Sequence, residues 1–314
     1  MQNNSINTNY NDLSVASIDI GTNSTHLLVA QINSDLKSFT IKFTEKSTTR
    51  LGERDDDGNL TEEAIERVIE TLKRFKEYCI SYGVSKILAA ATSAVRESPN
   101  GRDLIKRVRE NIGITIELIS GAEEARLIYL GVLSGMSLEN KSHIICDIGG
   151  GSTELILANS KDTRALTSSR IGAVRLKNDF FQDEPLTNSR LDFIKTFIQG
   201  SLEPSIGKIK RRLDKNESIS MIATSGTAIA LGNLISSDLG EPKQKMHGYK
   251  FEKSNLEDLL SKLIKLTPFD LRKIPSLSER RSEIIIPGGL ILNTSMEMLN
   301  ISELTISERA LREG

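Results

Sequence analysis

Two similar segments within one 314-residue chain constrain its fold more than any other feature of the sequence. SIDIGTNSTHLLVA occupies residues 17–30 and ICDIGGGSTELILA occupies residues 145–158, and the two align without a gap. Each reads as a strand, a tight turn and a returning strand, because short apolar runs flank turn residues. A second motif recurs in the same order, as ATSA at residues 91–94 and ATSG at residues 223–226. We therefore predict a duplicated fold in which each half begins with an antiparallel hairpin.

The segments that follow each hairpin alternate between strand and helix patterns. Apolar residues recur at helical spacing over residues 61–82, and Gly83 follows as a helix stop signal. The second half repeats the plan with a long helical pattern over residues 189–214, which Pro204 is expected to interrupt. This order of elements predicts an α/β fold with mixed sheets flanked by helices.

The length of the chain predicts two domains, because it exceeds the size at which a single hydrophobic core keeps growing. We assign residues 1–126 to the first domain, with the polar residues 1–12 as a disordered tail. Residues 127–314 form the second domain. As an alternative, the last segment, residues 296–314, packs back against the first domain.

Composition and charge exclude several classes of protein. A formal net charge of −1 provides no general attraction to nucleic acid or to anionic membranes. No apolar run approaches the roughly 18 residues that a membrane-spanning helix needs, and the polar start lacks the pattern of a secretion signal. The two cysteines, Cys79 and Cys146, are too few for a disulfide framework and are expected to be free thiols. We expect a cytoplasmic protein without a nucleic-acid or membrane partner.

The two predicted turns have the chemistry of anion-binding loops. Three consecutive glycines in the second turn allow backbone N–H groups to approach a ligand closely and to form an anion nest, and neighbouring hydroxyls add donors. The pattern is neither a Walker loop nor a Rossmann fingerprint. An ordinary tight hairpin turn is the alternative, which the duplication disfavours. The candidate phosphate-binding residues are Gly149, Gly150, Gly151, Ser152 and Thr153 in the second turn, and Gly21, Thr22, Asn23 and Ser24 in the first.

Acidic residues accompany both turns. Asp147 closes the strand before the second turn and Glu154 lies on the returning strand, so both carboxylates can face one phosphate-filled space. Such a pair suits Mg²⁺, which usually takes one or two protein carboxylates and completes its shell with water and phosphate. Asp19 is the matching acid of the first turn, where His26 replaces Glu154 and is expected to be structural. The alternative for Asp147 is a hydrogen bond that caps its own turn.

A third acidic site lies between the two repeats, in SGAEEARLIYLG. Glu123 and Glu124 open a predicted helix directly after a strand. A carboxylate in the first turn of a helix ordinarily compensates the helix dipole, and spacing alone does not show which of the two does so. Arg96, after ATSAV, is a further candidate site residue.

As a set, these motifs resemble the exopolyphosphatase and guanosine-pentaphosphate phosphatase family, within the actin, Hsp70 and sugar-kinase superfamily. The resemblance runs through DIGTNS, ATSAVRE, SGAEEARLIYLGV, DIGGGSTEL, ATSGT, SERRSEIIIPG and LREG. It implies two actin-like (ribonuclease H-like) domains with a cleft between them, across which the two turns face each other. Long members continue into a further helical domain, so a short form is expected here.

The resemblance also implies roles for individual residues. Glu124 is then the residue that orients or deprotonates the attacking water, and Asp147 and Glu154 bind a divalent metal, Mg²⁺ or Mn²⁺. Arg96 and Arg281 then contact phosphate.

The implied reaction is hydrolysis of the terminal phosphoanhydride of inorganic polyphosphate, with release of orthophosphate. Guanosine pentaphosphate is the alternative substrate, and a non-catalytic sensor of polyphosphate or alarmone is an alternative function. A sugar kinase or actin-type ATPase is disfavoured because no acceptor site is recognisable. A homodimer is the assembly expected from similar proteins.

Overall fold

The computed structural model describes residues 12–33, 35, 37–139, 141–181 and 186–314. It divides the chain into two compact units, Met1–Leu118 and Ile119–Gly314. The predicted tail lies outside the described residues except for its last position, where the first strand begins. Among the described residues, no helix is both long enough and apolar enough to cross a membrane.

The first unit contains one five-stranded mixed sheet in the order β3-β2-β1-β4-β5. β1 pairs antiparallel with β2 and β2 with β3, whereas β4 and β5 join in parallel. The hairpin and its third strand therefore form one side of the sheet, and the crossover strands form the other. The elements are β1 Asp12–Ile20, β2 Thr25–Asn33, β3 Ser38–Ser47, α1 Glu62–Ser81, β4 Lys86–Ala91, α2 Ser93–Arg96, α3 Gly101–Ile112 and β5 Ile116–Leu118.

The amphipathic helix predicted over residues 61–82 is α1. Thr61 caps its N-terminus by accepting a hydrogen bond from the backbone N–H of Ala64 at 3.3 Å. Its buried face, which includes Val68 and Leu72, packs with the apolar residues of β1 and β2 in one core cluster. This packing fixes the sheet on which the first hairpin turn sits.

The second unit contains a six-stranded mixed sheet in the order β10-β11-β9-β6-β7-β8. Again the hairpin and its third strand are antiparallel, and the next strand, β9, pairs in parallel with the first strand of the hairpin, β6. The elements of the unit are α4 Gly121–Leu133, β6 Ser142–Ile148, β7 Thr153–Ala158, β8 Thr163–Ser169, α5 Ala173–Phe180, α6 Asn188–Lys210, β9 Ile219–Thr224, α7 Ser225–Asp238, β10 Lys250–Glu252, α8 Lys253–Leu263, α9 Pro268–Arg272, α10 Glu279–Ser282, α11 Ile285–Met298 and β11 Glu303–Ile306.

The predicted duplication is confirmed at the level of sheet topology. In each unit, an antiparallel three-stranded meander is extended by a parallel strand beside its first strand. Because the carboxyl ends of parallel strands meet at one edge, each hairpin turn lies beside the start of a helix. Those helices are α2 in the first unit and α7 in the second, and they begin in the two ATS motifs.

One detail of the second unit differs from the expectation drawn from sequence. α6 continues through Pro204, because its buried face, with Ile198, Leu202 and Ile206, packs along its length in the core of the unit. The final segment belongs to the second unit, where β11 pairs in parallel with β9. The domain boundary drawn after residue 126 falls within α4.

Candidate active site

The second hairpin turn brings two acidic side chains into register. Asp147 on β6 is directly opposite Glu154 on β7. Directly opposite residues of an antiparallel pair project from the same face of the sheet, with their Cβ atoms about 5 Å apart. The turn is closed by a hydrogen bond of 2.9 Å from the N–H of Gly149 to the carbonyl of Ser152. The hairpin thus presents two neighbouring carboxylates directly below a glycine turn.

The carbonyl groups of this turn are held from behind by the start of α5. The N–H of Ala173 donates to the carbonyl of Gly149 at 2.9 Å, and that of Val174 donates to the carbonyl of Gly150 at 2.9 Å. The approach is close, because a Cβ on Gly172 would lie 2.4 Å from the oxygen of Gly150. Only glycine fits at position 172.

This backing determines which way the amides of the turn point. In a planar trans peptide, the C=O of one residue and the N–H of the next point in opposite directions. Carbonyls tied to α5 therefore aim the N–H groups of Gly150 and Gly151 away from that helix. In the part of the chain that the structure describes, neither N–H donates a hydrogen bond. Two adjacent N–H groups directed in this way have the arrangement that an anion nest requires.

The hydroxyl groups at the exit of the turn are used inside the protein. Thr153 is fully buried, and its hydroxyl donates to the carbonyl of Ile171 at 2.6 Å. The hydroxyl of Ser152 lies close enough to the carboxylate of Glu154 to lower its pKa. The backbone amides, rather than these two hydroxyls, are therefore the donors that the turn offers to a ligand.

Three buried carboxylates surround this turn. Glu154 is 1% exposed, Glu124 7% and Asp147 9%. Burial, followed by the negative charges of Glu124 and Asp147, raises the pKa of Glu154 well above its ordinary value, although the hydroxyls of Ser168 and Ser152 oppose the shift. Ser168 donates to Oε1 of Glu154 at 2.7 Å. The cluster is thus a concentration of negative charge that a bound cation would offset.

The first turn of α4 separates the two adjacent glutamates. Ser120 caps the helix by accepting from the N–H of Glu123 at 3.1 Å. The carboxylate of Glu123 lies at the surface and pairs with Arg126 through two hydrogen bonds of 2.7 and 2.8 Å. This pairing lowers the pKa of Glu123. Glu124 is instead buried and acts electrostatically on Glu154. The structure therefore assigns the ion-paired helix position to Glu123 and the position beside the turn to Glu124.

The donor set fits a hard divalent cation that is only partly ligated by protein. Among the described residues, no group of three or more His, Cys, Asp or Glu side chains is arranged to hold a metal ion. The cross-strand pair of Asp147 and Glu154 supplies two carboxylates, and Mg²⁺ is commonly bound by one or two, with water and phosphate completing the octahedron. Burial and the neighbouring carboxylates destabilise the charged form of Glu154 and so raise its pKa, and a cation bound here would stabilise that charged form.

Arg281, in α10, contacts the start of α7, which lies near the same edge of the second sheet. Its Nη1 donates to the hydroxyl of Thr227 at 3.3 Å, and a Cβ on Gly226 would lie 2.3 Å from its Nη2. β9, which leads into α7, places Thr224 in register with Asp147. Burial lowers the pKa of the guanidinium, which remains charged.

The first hairpin turn has the same frame in the first unit. The N–H of Gly52 donates to the carbonyl of Thr22 at 2.8 Å, and that of Arg50 donates to the carbonyl of Asn23 at 3.0 Å. The N–H of Gly21 closes the turn on the carbonyl of Ser24 at 3.1 Å. This turn is therefore also held from behind, with its amides directed away from the bracing segment.

The surroundings of the first turn differ from those of the second. The hydroxyl of Thr22 contacts that of Ser93 at 3.1 Å, which joins the turn to α2, the short helix that ends with Arg96. The cross-strand partner of Asp19 is His26, so the second carboxylate of the pair is missing here.

Several residues that shape the site were missed by sequence reasoning. Ser168 reaches Glu154 because β8 places the two in register, and no local sequence pattern marks that pairing. The bracing segments around Arg50 and Gly172 share a short pattern, RLG at residues 50–52 and RIG at residues 170–172, which could have marked them. Their position was a second signal, since each follows the third strand of its meander.

Solved structures similar to this chain define its class. An exopolyphosphatase from Cytophaga hutchinsonii matches with a TM-score of 0.87 and 28% identity, over 96% of this chain and 95% of that one. The PPX-GPPA enzyme of Aquifex aeolicus matches with a TM-score of 0.79 and 27% identity, over 96% and 98%. The two mixed sheets flanked by helices are therefore an actin-like fold, as the resemblance implied.

A family model and curated relatives give the particular family. The model described as "Ppx/GppA phosphatase family" matches residues 28–314, and the chain belongs to this family. Exopolyphosphatase 1 of Mycobacterium tuberculosis is 29% identical over 301 residues, which cover 95% of this chain and 85% of that protein. A bifunctional 3-dehydroquinate synthase/phosphatase of Fusobacterium nucleatum is 32% identical over 311 residues, but the match spans 44% of that longer protein. The protein is thus an enzyme, a hydrolase of phosphoanhydride bonds.

Proposed function

We propose that this enzyme hydrolyses the terminal phosphoanhydride of inorganic polyphosphate and releases orthophosphate. The observation that carries the proposal is the juxtaposition, in the second unit, of a free-amide turn and three buried carboxylates. The names of similar proteins support the substrate, since two of them are exopolyphosphatases. Polyphosphate consists of repeated phosphoanhydrides, and each phosphoryl group offers several acceptor oxygens to such a turn.

Binding of the terminal phosphoryl group is assigned to the second turn. The N–H groups of Gly150 and Gly151 donate to its oxygens, and Arg281 adds positive charge. Donors fixed before the reaction stabilise charge that develops on the transferring group without reorganising. The first turn, Gly21–Ser24, and Arg96 bind other phosphate groups in the same manner, through amides and a guanidinium.

A divalent cation, Mg²⁺ or Mn²⁺, is proposed at Asp147 and Glu154. When bound there, it supplies electrostatic stabilisation of phosphate oxygens. Glu154 must be deprotonated to act as a ligand; Ser168 favours that form by donating a hydrogen bond to it, and the nearby hydroxyl of Ser152 also lowers its pKa. Asp19, the matching acid of the first turn, remains a proposed ligand, although its pairing with His26 favours the second hairpin as the cation site.

Glu124 is proposed to orient and deprotonate the attacking water. The water oxygen forms a bond to the terminal phosphorus as the bridging P–O bond breaks, and the proton passes to the carboxylate of Glu124. Charge on the leaving phosphate chain is stabilised by the amides and guanidinium groups. Burial of Glu124 beside Glu154, rather than in a surface ion pair, supports this assignment.

Two adjacent glutamates provide a matched test of this proposal. Orthophosphate release from long-chain polyphosphate is measured with Mg²⁺ for wild type, Glu124→Gln and Glu123→Gln. We expect Glu124→Gln to lower kcat by about 100-fold or more, since loss of a general base has effects of about 10² to 10⁴. Glu123→Gln removes only a surface ion pair and is expected to stay within about twofold of wild type. A Glu124→Gln rate equal to that of wild type would contradict the catalytic role of Glu124. Absence of orthophosphate release by the wild-type enzyme would contradict the proposed activity.

Guanosine pentaphosphate is the second candidate substrate, because the family model that matches the chain is named for both activities. The same assay with guanosine pentaphosphate in place of polyphosphate compares the two substrates directly, through kcat/KM.

The homodimer expected from similar proteins and the cytoplasmic location remain predictions. Analytical sedimentation tests the first and cell fractionation tests the second.

A further inference from the structure

Arg175 contacts the glycine turn more extensively than any role assigned above requires. It is the third residue of α5, and its backbone N–H donates to the carbonyl of Gly150 at 3.0 Å. Its side chain turns back to the same loop, where Nε donates to the carbonyl of Gly151 at 3.2 Å. One residue thus holds two consecutive carbonyls of the turn.

The side-chain bond controls a peptide that the backbone of α5 does not reach. The carbonyls of Gly149 and Gly150 are tied by backbone N–H groups, whereas the carbonyl of Gly151 is held by the guanidinium of Arg175. Because the peptide is planar and trans, holding this carbonyl on the α5 side points the N–H of Ser152 the opposite way. That N–H then continues the row formed by Gly150 and Gly151.

Glycine makes this restraint necessary. Gly151 has no Cβ, so its backbone adopts both signs of φ with little steric cost, and the peptide after it can rotate. A rotated peptide would present a carbonyl oxygen, instead of an N–H, to an anion. A charge-assisted hydrogen bond from a guanidinium opposes that rotation more strongly than a neutral donor does.

We propose that Arg175 is a positioning residue for the phosphate-binding turn, acting through the carbonyl of Gly151 to orient the N–H of Ser152 toward the bound phosphoryl group. The proposal deepens, and rests on, the function proposed above. The anion nest then consists of three consecutive amides, those of Gly150, Gly151 and Ser152. Arg175 orients the third of them from the side of the turn opposite the bound phosphoryl group.

The other end of α5 provides a matched control. Nε of Arg190 donates to the carbonyl of Phe180, the last residue of α5, at 3.0 Å. Arg190→Met therefore removes an arginine–carbonyl bond of the same kind from the same helix, away from the turn. Arg175→Met removes the bond at the turn, and Arg175→Lys keeps a charged donor there.

The direct experiment measures binding of inorganic tripolyphosphate by calorimetry, together with KM and kcat for polyphosphate. We expect Arg175→Met to weaken tripolyphosphate binding by about tenfold, the scale of one hydrogen bond to a charged group, and to raise KM more than it lowers kcat. Arg175→Lys is expected to recover part of the affinity, and Arg190→Met to bind as wild type. In ¹⁵N spectra, the tripolyphosphate-induced shifts of the Gly151 and Ser152 amides are expected to shrink only in the Arg175 variants.

The outcomes separate this inference from the proposed function. Wild-type affinity in both Arg175 variants, with normal hydrolysis by wild type, would overturn the role of Arg175 alone. Weakened binding in Arg175→Met, with no hydrolysis by wild type, would overturn the proposed activity and keep the positioning role. Equal weakening in Arg175→Met and Arg190→Met would mean a general effect of α5 stability and would overturn the inference. If Arg175→Met does not fold, the affinity and amide shifts of Arg175→Lys decide.

Discussion

The two hairpin turns are built on the same frame but differ in the charge below them. Both cap a β-meander, and both have carbonyls tied by a segment that follows the third strand. In the second hairpin, Asp147 faces Glu154, whereas in the first, Asp19 faces His26. The shared frame therefore sets the direction of the turn amides, and the residue at one cross-strand position decides whether a second carboxylate lies beside the turn.

The bracing segments differ as well. In the second unit, the first turn of α5 supplies consecutive N–H groups that have no partner within the helix, and these tie the glycine turn. In the first unit, the backbone N–H groups of Arg50 and Gly52, in an irregular loop, tie the carbonyls of the turn. Arg50 has a left-handed φ of 48°. Three glycines allow the second turn to lie closely against a helix end. The carbonyls of the second turn accept more bracing hydrogen bonds than those of the first.

The largest expected effect tests the cross-strand position directly. Glu154→Gln removes a proposed cation ligand, and we expect kcat for orthophosphate release to fall by about 100-fold or more, the scale of losing one electrostatic stabiliser. The equivalent change in the first hairpin, His26→Gln, is expected to alter kcat by less than about threefold, since His26 is half-buried but supplies no carboxylate for a cation. Equal losses in the two variants would contradict the unequal roles of the hairpins.

The next effect tests the close backing of the second turn. Gly172→Ala places a Cβ 2.4 Å from the oxygen of Gly150, and we expect it to lower the free energy of unfolding by about 1–3 kcal/mol and to raise KM. Gly200→Ala in α6 is the control, because no atom lies within 4 Å of its added Cβ. It is expected to be neutral or to stabilise by up to about 1 kcal/mol. Urea denaturation of both variants provides the measurement, and a neutral Gly172→Ala would contradict the packing argument.

A pH effect follows from the raised pKa of Glu154. A carboxyl whose pKa is higher in the folded than in the unfolded protein binds its proton more tightly when folded, so the metal-free protein loses stability as pH rises above the unfolded value of about 4.5. We expect the Tm in chelator to fall more steeply for wild type than for Glu154→Gln as the pH rises above that value. Added Mg²⁺ is expected to reduce the difference, because it binds the deprotonated form. Parallel Tm curves for the two proteins in chelator would refute this assignment.

The smallest expected effect compares the buried threonines that follow each turn. Thr153 bonds the carbonyl of Ile171, and Thr25 bonds the hydroxyl of Thr49 at 3.0 Å. Thr153→Val and Thr25→Val are each expected to lower the free energy of unfolding by about 1 kcal/mol, the net value of a typical hydrogen bond. Only Thr153→Val is expected to raise KM measurably, since Ile171 precedes the segment that braces the glycine turn. Chemical denaturation and steady-state kinetics check the two expectations, and a KM increase in Thr25→Val alone would reverse the comparison.

Much of the site could be predicted from sequence because it is local in the chain. A turn and its two strands span few residues, so Asp147 and Glu154 could be placed on facing strands by counting from the glycines. The helix at residues 62–81 followed from its apolar spacing. The interruption at Pro204 was wrong because tertiary packing along α6 outweighed the local cost of proline.

The sequence by itself determined the duplication, the two hairpins and the acids beside them, because these depend on residue order over short distances. Only the tertiary structure decided that Glu123 pairs with Arg126 while Glu124 is buried near Glu154. It also decided that the hydroxyl of Thr153 bonds to a carbonyl inside the protein and that Ser152 is buried near Glu154, so that the amides are the available donors. The physical reason is that the direction of a peptide, and the partner of a polar side chain, depend on which distant element packs against them.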